Sequence, residues 1–104
     1  MEAANRLQNV VQELQLVAQQ AAAVNNQVRE MNETIDLLAK QQSGDSIYRQ
    51  RGGILVEVKD LDELLEELNQ TMLELLEHTK MLKQREEELR KSYSELIEEI
   101  EGSK

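Results

Sequence analysis

Residues 47–58 read IYRQRGGILVEV and lie near the middle of a chain of 104 residues. β-branched residues around a central Gly-Gly pair are typical of two short strands joined by a tight turn, because glycine tolerates the positive φ that hairpin turns require. Side chains alternate between the two faces of a strand, so Leu55 points away from Ile54 and Val56. The stretch therefore predicts a β-hairpin with apolar side chains on both faces.

Two long apolar stripes flank this hairpin, and each recurs at alternating spacings of three and four residues. A 3.5-residue repeat is the pattern of a coiled coil, since it keeps one face of a helix toward a partner helix. The first stripe consists of Leu7, Val10, Leu14, Val17, Ala21, Val24, Val28, Met31, Ile35 and Leu38. The second consists of Leu61, Leu65, Leu68, Met72, Leu75, Thr79, Leu82, Glu86, Leu89, Tyr93, Leu96 and Ile100.

Helix-ending and helix-starting signals mark where the stripes stop and restart. Gly44, within the run QQSGDS, suits the left-handed conformation that often follows the end of a helix. Asp60 stands where an N-cap belongs, and Glu63 follows three residues later, as in a capping box. We expect a single domain over residues 1–104, with a first helix over 3–42, the hairpin over 47–58 and a second helix over 60–101.

The two predicted helices have nearly equal lengths, and each would extend about 60 Å. Equal stripes joined by a short insert favour an antiparallel pair, with both chain termini at one end and the hairpin at the other. Matched helix rise then sets Leu7 near Tyr93 and Leu96, and Ala21 near Thr79. The expected fold class is mainly α: a long antiparallel two-helix coiled coil with a short β-hairpin between the helices.

Glu86 is a charged residue at a seam position of the second stripe. The antiparallel pairing places it opposite Leu14 to Val17, where burial of a charge is costly. Arg85 and Arg90 are close enough in sequence to offset that cost, and a polar seam group can fix the register of the two helices.

The composition argues against catalytic and metal sites. The chain has no Cys and a single His, which excludes disulfides and thiolate chemistry. His78 and Glu74 lie one helical turn apart, but a metal site needs three or four convergent ligands. Gly52 and Gly53 lack the following Lys and the helix start of a phosphate-binding loop. We therefore expect no enzyme activity, no catalytic residues, no metal and no cofactor.

The net charge of −9 at pH 7 is concentrated in residues 60–104. Without a basic stretch the chain cannot neutralise phosphates, and an anionic membrane surface would repel it. The N-terminal run MEAANRLQNV lacks the pattern of a signal peptide, and no apolar run approaches the roughly 20 residues that span a bilayer. We expect a cytoplasmic protein that binds neither nucleic acid nor membrane.

A lone two-stranded hairpin is marginal in water and leaves two unpaired edges. Two outcomes are open: the hairpin folds back onto its own helices, or its strands pair with those of other subunits. The second is favoured, because a two-helix coiled coil offers little spare surface to cover apolar side chains on both faces of a hairpin.

At the end opposite the hairpin the apolar stripes are wider than a seam requires. Val11 and Leu16 widen the first stripe, and Ile97 widens the second. Splayed tips would leave this surface open to grip apolar segments of another protein. Alternatively, the tips close against each other, which helical periodicity by itself favours.

The run Tyr48-Arg49-Gln50-Arg51-Gly52-Gly53-Ile54-Leu55-Val56-Glu57-Val58, set between equal coiled-coil helices, resembles the β-type subunit of prefoldin, of the archaeal kind. A single hairpin is typical of β-type subunits, whereas α-type subunits carry two. The resemblance covers essentially the whole chain. It implies an ATP-independent chaperone, a holdase whose subunits assemble through their hairpins into an oligomeric β-barrel. The coiled-coil tips of such an oligomer capture unfolded proteins and deliver them to a group II chaperonin.

The resemblance also implies roles for particular residues. Assembly with other prefoldin subunits, as a hetero-hexamer with α-type subunits or as a homo-oligomer, falls on Ile47, Tyr48, Ile54, Leu55, Val56 and Val58. Binding of unfolded clients falls on Leu7, Val10, Val11, Leu14, Leu96, Ile97 and Ile100. The alternative is a structural or adaptor coiled-coil protein that scaffolds one specific partner through its acidic outer face.

Overall fold

The computed structural model describes residues 2–41 and 44–102. It consists of helix α1 (Glu2–Ala39), strand β1 (Tyr48–Arg51), strand β2 (Ile54–Glu57) and helix α2 (Leu61–Gly102), in that order. The two helices pack antiparallel along almost their whole length, and the molecule measures 73 × 25 × 15 Å. The expected fold, an antiparallel coiled coil with one hairpin between its helices, is confirmed.

The heptad seam is the core of the molecule. Val17, Val24, Leu82 and Leu89 are buried together, and the neighbouring seam residues Val10, Leu14, Ala21, Val28 and Leu75 pack against them. Every residue of the first predicted stripe is buried or half-buried. Tyr93 is the exception in the second stripe, because its ring lies in a groove beside the seam, next to Leu14 and Ala18. Periodicity therefore identified the seam almost completely.

The first helix ends earlier than expected. The predicted helix extends to residue 42, beyond the last stripe residue Leu38, whereas α1 ends at Ala39. The backbone N–H groups of Lys40 and Gln41 donate to the carbonyls of Leu37 and Leu38, three residues back, so the chain tightens as it leaves the helix. Gly44 then takes a φ of 97°, the positive value for which glycine is suited. Residues 42 and 43 lie outside the described residues.

Asp60 caps the second helix as its position predicts. Its side-chain oxygen accepts the backbone N–H of Glu63 at 3.0 Å, and its carbonyl accepts that of Leu64 at 3.2 Å. This is the geometry of an N-cap residue, which satisfies one of the donors left free at the start of a helix. α2 begins directly afterwards at Leu61 and reaches Gly102, one residue beyond the expected end.

The hairpin has a two-residue loop. Tyr48 pairs with Glu57 and Arg51 with Ile54 in an antiparallel register, which leaves Gly52 and Gly53 as the turn. Gly52 has a φ of 60°. A positive φ at the first loop position is the requirement of a type II′ turn, whose twist matches that of the strands. A further bond from the Val58 N–H to the Ile47 carbonyl, at 2.8 Å, extends the pairing over residues 47–58.

Candidate functional surfaces

The hairpin projects from the coiled coil instead of lying on it. Within residues 2–41 and 44–102, no Cα atom of either strand comes within 8 Å of a Cα atom of either helix. The side chains of Tyr48, Ile54, Leu55 and Val56 are therefore between 44% and 67% exposed. The alternative in which the hairpin covers itself with its own helices is not the arrangement in the structure.

The strand register distributes the apolar side chains over two faces. Ile54 and Val56 share a face with Arg49 and Arg51, since cross-strand partners point the same way. Leu55 lies on the opposite face with Tyr48. Ile47 and Val58, at the base of the hairpin, are half-buried. Of the six residues predicted for assembly, four are thus open to a partner and two lie at the base.

One side-chain pair ties the hairpin to the coiled coil. The guanidinium of Arg49 donates from Nη1 to Oε2 of Glu67 at 3.2 Å and from Nη2 to Oε1 at 3.4 Å. Such a bidentate arrangement fixes direction as well as distance, because two parallel bonds join two planar groups. Neither residue stood out in the sequence, since no local pattern reveals a pair that is 18 residues apart.

At the opposite end the two helices remain closed against each other. Leu96 is only 8% exposed, and most of the other residues predicted for client binding are half-buried: Leu7, Val10, Leu14, Ile97 and Ile100. Val11 is the open member of the set, at 36% exposed. An ion pair between Arg6 and Glu99, at 3.0 Å, joins the helices near the tip. The tips of the isolated chain are therefore not splayed.

Two shallow grooves nevertheless expose parts of these residues. One, of about 420 Å³, is lined by Leu14, Ala18, Glu86, Arg90, Tyr93 and Ser94. The other, of about 370 Å³, is lined by Arg6, Asn9, Val10, Ser92, Glu95, Leu96 and Glu99. Each is lined by both apolar and charged side chains.

The charge of Glu86 is balanced as its position requires, by one of the two expected partners. Its carboxylate forms an ion pair with Arg90, one helical turn away, with 2.8 Å between Glu86 Oε1 and Arg90 Nη2. Arg85 instead pairs with Glu13 of the other helix at 2.6 Å and with Glu88 at 3.2 Å. The hydrogen bonds to Glu13 and Glu88 raise the pKa of Arg85 above its ordinary value.

Further apolar side chains are exposed at positions to which we assigned no role. They lie outside the heptad seam, at Leu16, Leu37, Leu73, Leu76 and Met81. Leu16 had a signal in the sequence, as a residue that widens the first stripe. The other four lie outside both predicted stripes, and Leu73 and Leu76 are neighbours on the surface of α2 because they are three residues apart.

Within residues 2–41 and 44–102, no group of three or more His, Cys, Asp and Glu side chains could hold a metal ion. The helices of this part of the chain are also too polar to cross a membrane.

Comparisons with known proteins identify the family. A family model described as prefoldin subunit matches residues 1–103. The structure is similar to the crystal structure of the prefoldin beta subunit from Thermococcus strain KS-1, with a TM-score of 0.88 and 24% sequence identity over 98% of this chain and 89% of that chain. It is also similar to the prefoldin beta2 subunit from the same strain, with a TM-score of 0.75 and 26% identity over 91% of this chain and 99% of that one.

A search of curated protein sequences found no match to this chain. The family match extends over nearly the whole chain, and the single hairpin between equal helices agrees with both structural matches. Proteins of this kind are chaperone subunits that form oligomers with other prefoldin subunits. The chain therefore belongs to the prefoldin family, as a subunit of the β type.

Proposed function

We propose that this chain is a subunit of an ATP-independent holdase that captures unfolded proteins at its coiled-coil tips and delivers them to a group II chaperonin. The observation that carries this proposal is the division of the molecule into two ends. An open hairpin with apolar side chains on both faces lies at one end, and two of the grooves along the coiled coil lie in the half nearer the chain termini. A coiled coil within a molecule 73 Å long separates them, so that assembly at one end leaves the other free.

Assembly is proposed to occur through the hairpin strands. Both strand edges lack a neighbour within the described residues, since the sheet has only two strands. Pairing of these edges with strands of other subunits would complete the hydrogen bonding and bury Ile54, Leu55 and Val56. A closed barrel is the arrangement that leaves no edge unpaired, which supports the β-barrel expected of the family.

Client binding is proposed to begin at the grooves near the tips. Extended chains with apolar side chains could contact Leu14 and Tyr93 in one groove and Val10 and Leu96 in the other. Because Val10 and Leu14 are half-buried and Leu96 is buried between the helices, tight holding also requires the helices to separate locally. Ends of helices open at low cost in free energy, which makes the tip the suitable place.

The closed tip also supports a second candidate function. At the tip, Leu96 is buried between the helices and Arg6 pairs with Glu99 of the other helix. A tip that is closed in this way is typical of a coiled coil that serves as a passive scaffold. Such a protein would bind one specific partner through its acidic outer face and would have no general affinity for unfolded chains.

Light scattering distinguishes the two functions. A chemically unfolded protein is diluted into buffer without ATP, in the presence or absence of this chain in modest excess, and its aggregation is followed. We expect the chain, alone or with an α-type subunit, to suppress aggregation. A matched amount of an unrelated acidic coiled coil serves as the control. Unchanged scattering both with and without an α-type subunit would contradict the holdase and favour the scaffold.

A further inference from the structure

The strands of the hairpin stand apart from the helices, and the hairpin adjoins α2 at its base, where Val58 is half-buried and Leu64 is 7% exposed. Within the described residues, no strand Cα atom approaches a helix Cα atom within 8 Å. Only Lys59 separates Val58, whose N–H makes the last bond of the hairpin, from Asp60, which caps α2. This short connection is the point about which the hairpin can tilt, and the side chains of Arg49, Leu64 and Glu67 lie around it.

The Arg49–Glu67 pair spans this hinge. Arg49 lies in β1, and Glu67 lies two turns into α2, so their two hydrogen bonds connect the elements on either side of Lys59. The side chains of Arg49 and Glu67 are 33% and 55% exposed, so dissolved salt can reach the pair. The planar guanidinium and carboxylate are joined by two parallel hydrogen bonds, which restrain both the rotation of one group against the other and the distance between them.

The tilt of the hairpin has a large effect at the tips. α2 is 42 residues long, or about 60 Å at the rise of an α-helix. A change of about 10° at the hinge would therefore move the far end by about 10 Å. In an oligomer assembled through hairpins, this angle sets how far apart the tips stand.

We propose that Arg49 and Glu67 are positioning residues, which fix the angle between the hairpin and the coiled coil and so set the spacing of the client-binding tips. The effect of this pair on client binding rests on the proposed function. The angle between the hairpin and the coiled coil is a property of one chain and can be measured without clients. The size of unfolded protein that an oligomer can hold would then depend on this pair, although neither residue contacts the client.

The angle can be measured in single chains by pulsed electron spin resonance. The chain has no Cys, so spin labels attach only at introduced positions. Gly53→Cys in the turn and Gln70→Cys on the exposed face of α2 provide the two labels, because added atoms meet no neighbours at Gly53 and Gln70 is exposed. Dilution with an excess of unlabelled chain removes distances between molecules.

Loss of the pair should broaden the distance distribution. We expect Glu67→Gln, and independently Arg49→Lys, to widen it at least twofold, and the double exchange Arg49→Glu with Glu67→Arg to narrow it again. Salt at 1 M should widen the distribution of the unmodified chain, because it screens exposed charges. Glu66→Gln, an adjacent exposed carboxylate without an ion pair in the described residues, is the matched control.

The outcomes separate this inference from the proposed function. Equal widths for the unmodified chain and both single variants, with circular dichroism showing intact helices, would overturn the inference. So would a double exchange that leaves the distribution broad. Suppose instead that the chain does not suppress aggregation, but that the spin-label distances broaden in the single variants as expected. That result would contradict the proposed function and leave the positioning role supported.

Discussion

Asp60 determines where the second helix starts, because its carboxylate and its carbonyl both accept backbone N–H groups of the first turn. Replacement by Ala would leave the Glu63 N–H without its side-chain partner. We expect Asp60→Ala to lower the free energy of unfolding by about 1 kcal/mol. Urea denaturation followed by circular dichroism, at one fixed protein concentration, measures the change.

Asp60→Asn is the matched control, since Asn caps helices about as well as Asp. Its midpoint should lie close to that of the unmodified chain. If the Ala and Asn variants unfolded at the same urea concentration, the side-chain cap at residue 60 would contribute nothing to the free energy of unfolding.

Glu86 illustrates how a single residue was partly predictable. Heptad spacing predicted its place on the seam. Arg90 was predictable as its partner because residues four apart are neighbours on the surface of a helix. The partner of Arg85 did not follow in the same way, because Glu13 lies on the other helix, 72 residues away in sequence. Only the relative rotation and register of the two helices bring these side chains together.

At the scale of the elements, the seam holds the coiled coil together. Leu89 is 4% exposed and packs in the central cluster, whereas Leu73 is 62% exposed on the same helix. We expect Leu89→Ala to lower the free energy of unfolding by about 2 to 4 kcal/mol, through lost burial and an incompletely filled space. Leu73→Ala should change it by less than about 0.5 kcal/mol.

The comparison of these two variants uses one helix and one substitution, so that helix propensity cancels. Thermal or urea denaturation, monitored at 222 nm in circular dichroism, provides the measurement. Similar losses for both variants would mean that Leu73 is covered by another subunit, and that the seam is not the main source of stability.

At the scale of the whole molecule, the hairpin is the proposed point of assembly. Leu55 and Val56 point to opposite faces and are both exposed. We expect Leu55→Lys with Val56→Lys to dissociate the oligomer while the helices remain, because a charge is costly to bury between strands. Native mass spectrometry and circular dichroism report the two properties separately.

An unchanged native mass in this double variant would exclude the hairpin as the assembly surface. Leu73→Lys with Leu76→Lys is the control, since both residues are exposed on α2 and outside the hairpin. These control substitutions should leave the mass of the oligomer as it is.

The tips make an independent prediction for client binding. Replacing Val11, Ile97 and Ile100 by Ser should weaken suppression of aggregation severalfold without dissociating the oligomer, because the apolar surface offered to clients becomes polar. Val11→Ser alone removes exposed surface with little effect on the closed tip, since it is the open member of the set. Undiminished suppression by the triple variant would place client binding elsewhere on the molecule.

The sequence by itself determined the elements and their order. Heptad spacing, a Gly-Gly turn between β-branched residues and an N-cap aspartate are local or periodic signals, and each depends on neighbours within a few residues. The seam, the hairpin register and the start of α2 could therefore be predicted without knowledge of distant contacts. The same signals placed the six hairpin residues and the tip residues at opposite ends.

The tertiary structure decided what depends on the relative orientation of the elements. Whether the tips are open or closed depends on how the two helices rotate against each other, which buries Leu96 and leaves Tyr93 in a groove. The direction of the hairpin depends on the reach of Arg49 to Glu67 across a hinge. Heptad spacing favours closed tips but does not fix them, because it specifies which face of each helix meets its partner and leaves the geometry at the ends to side-chain packing and ion pairs.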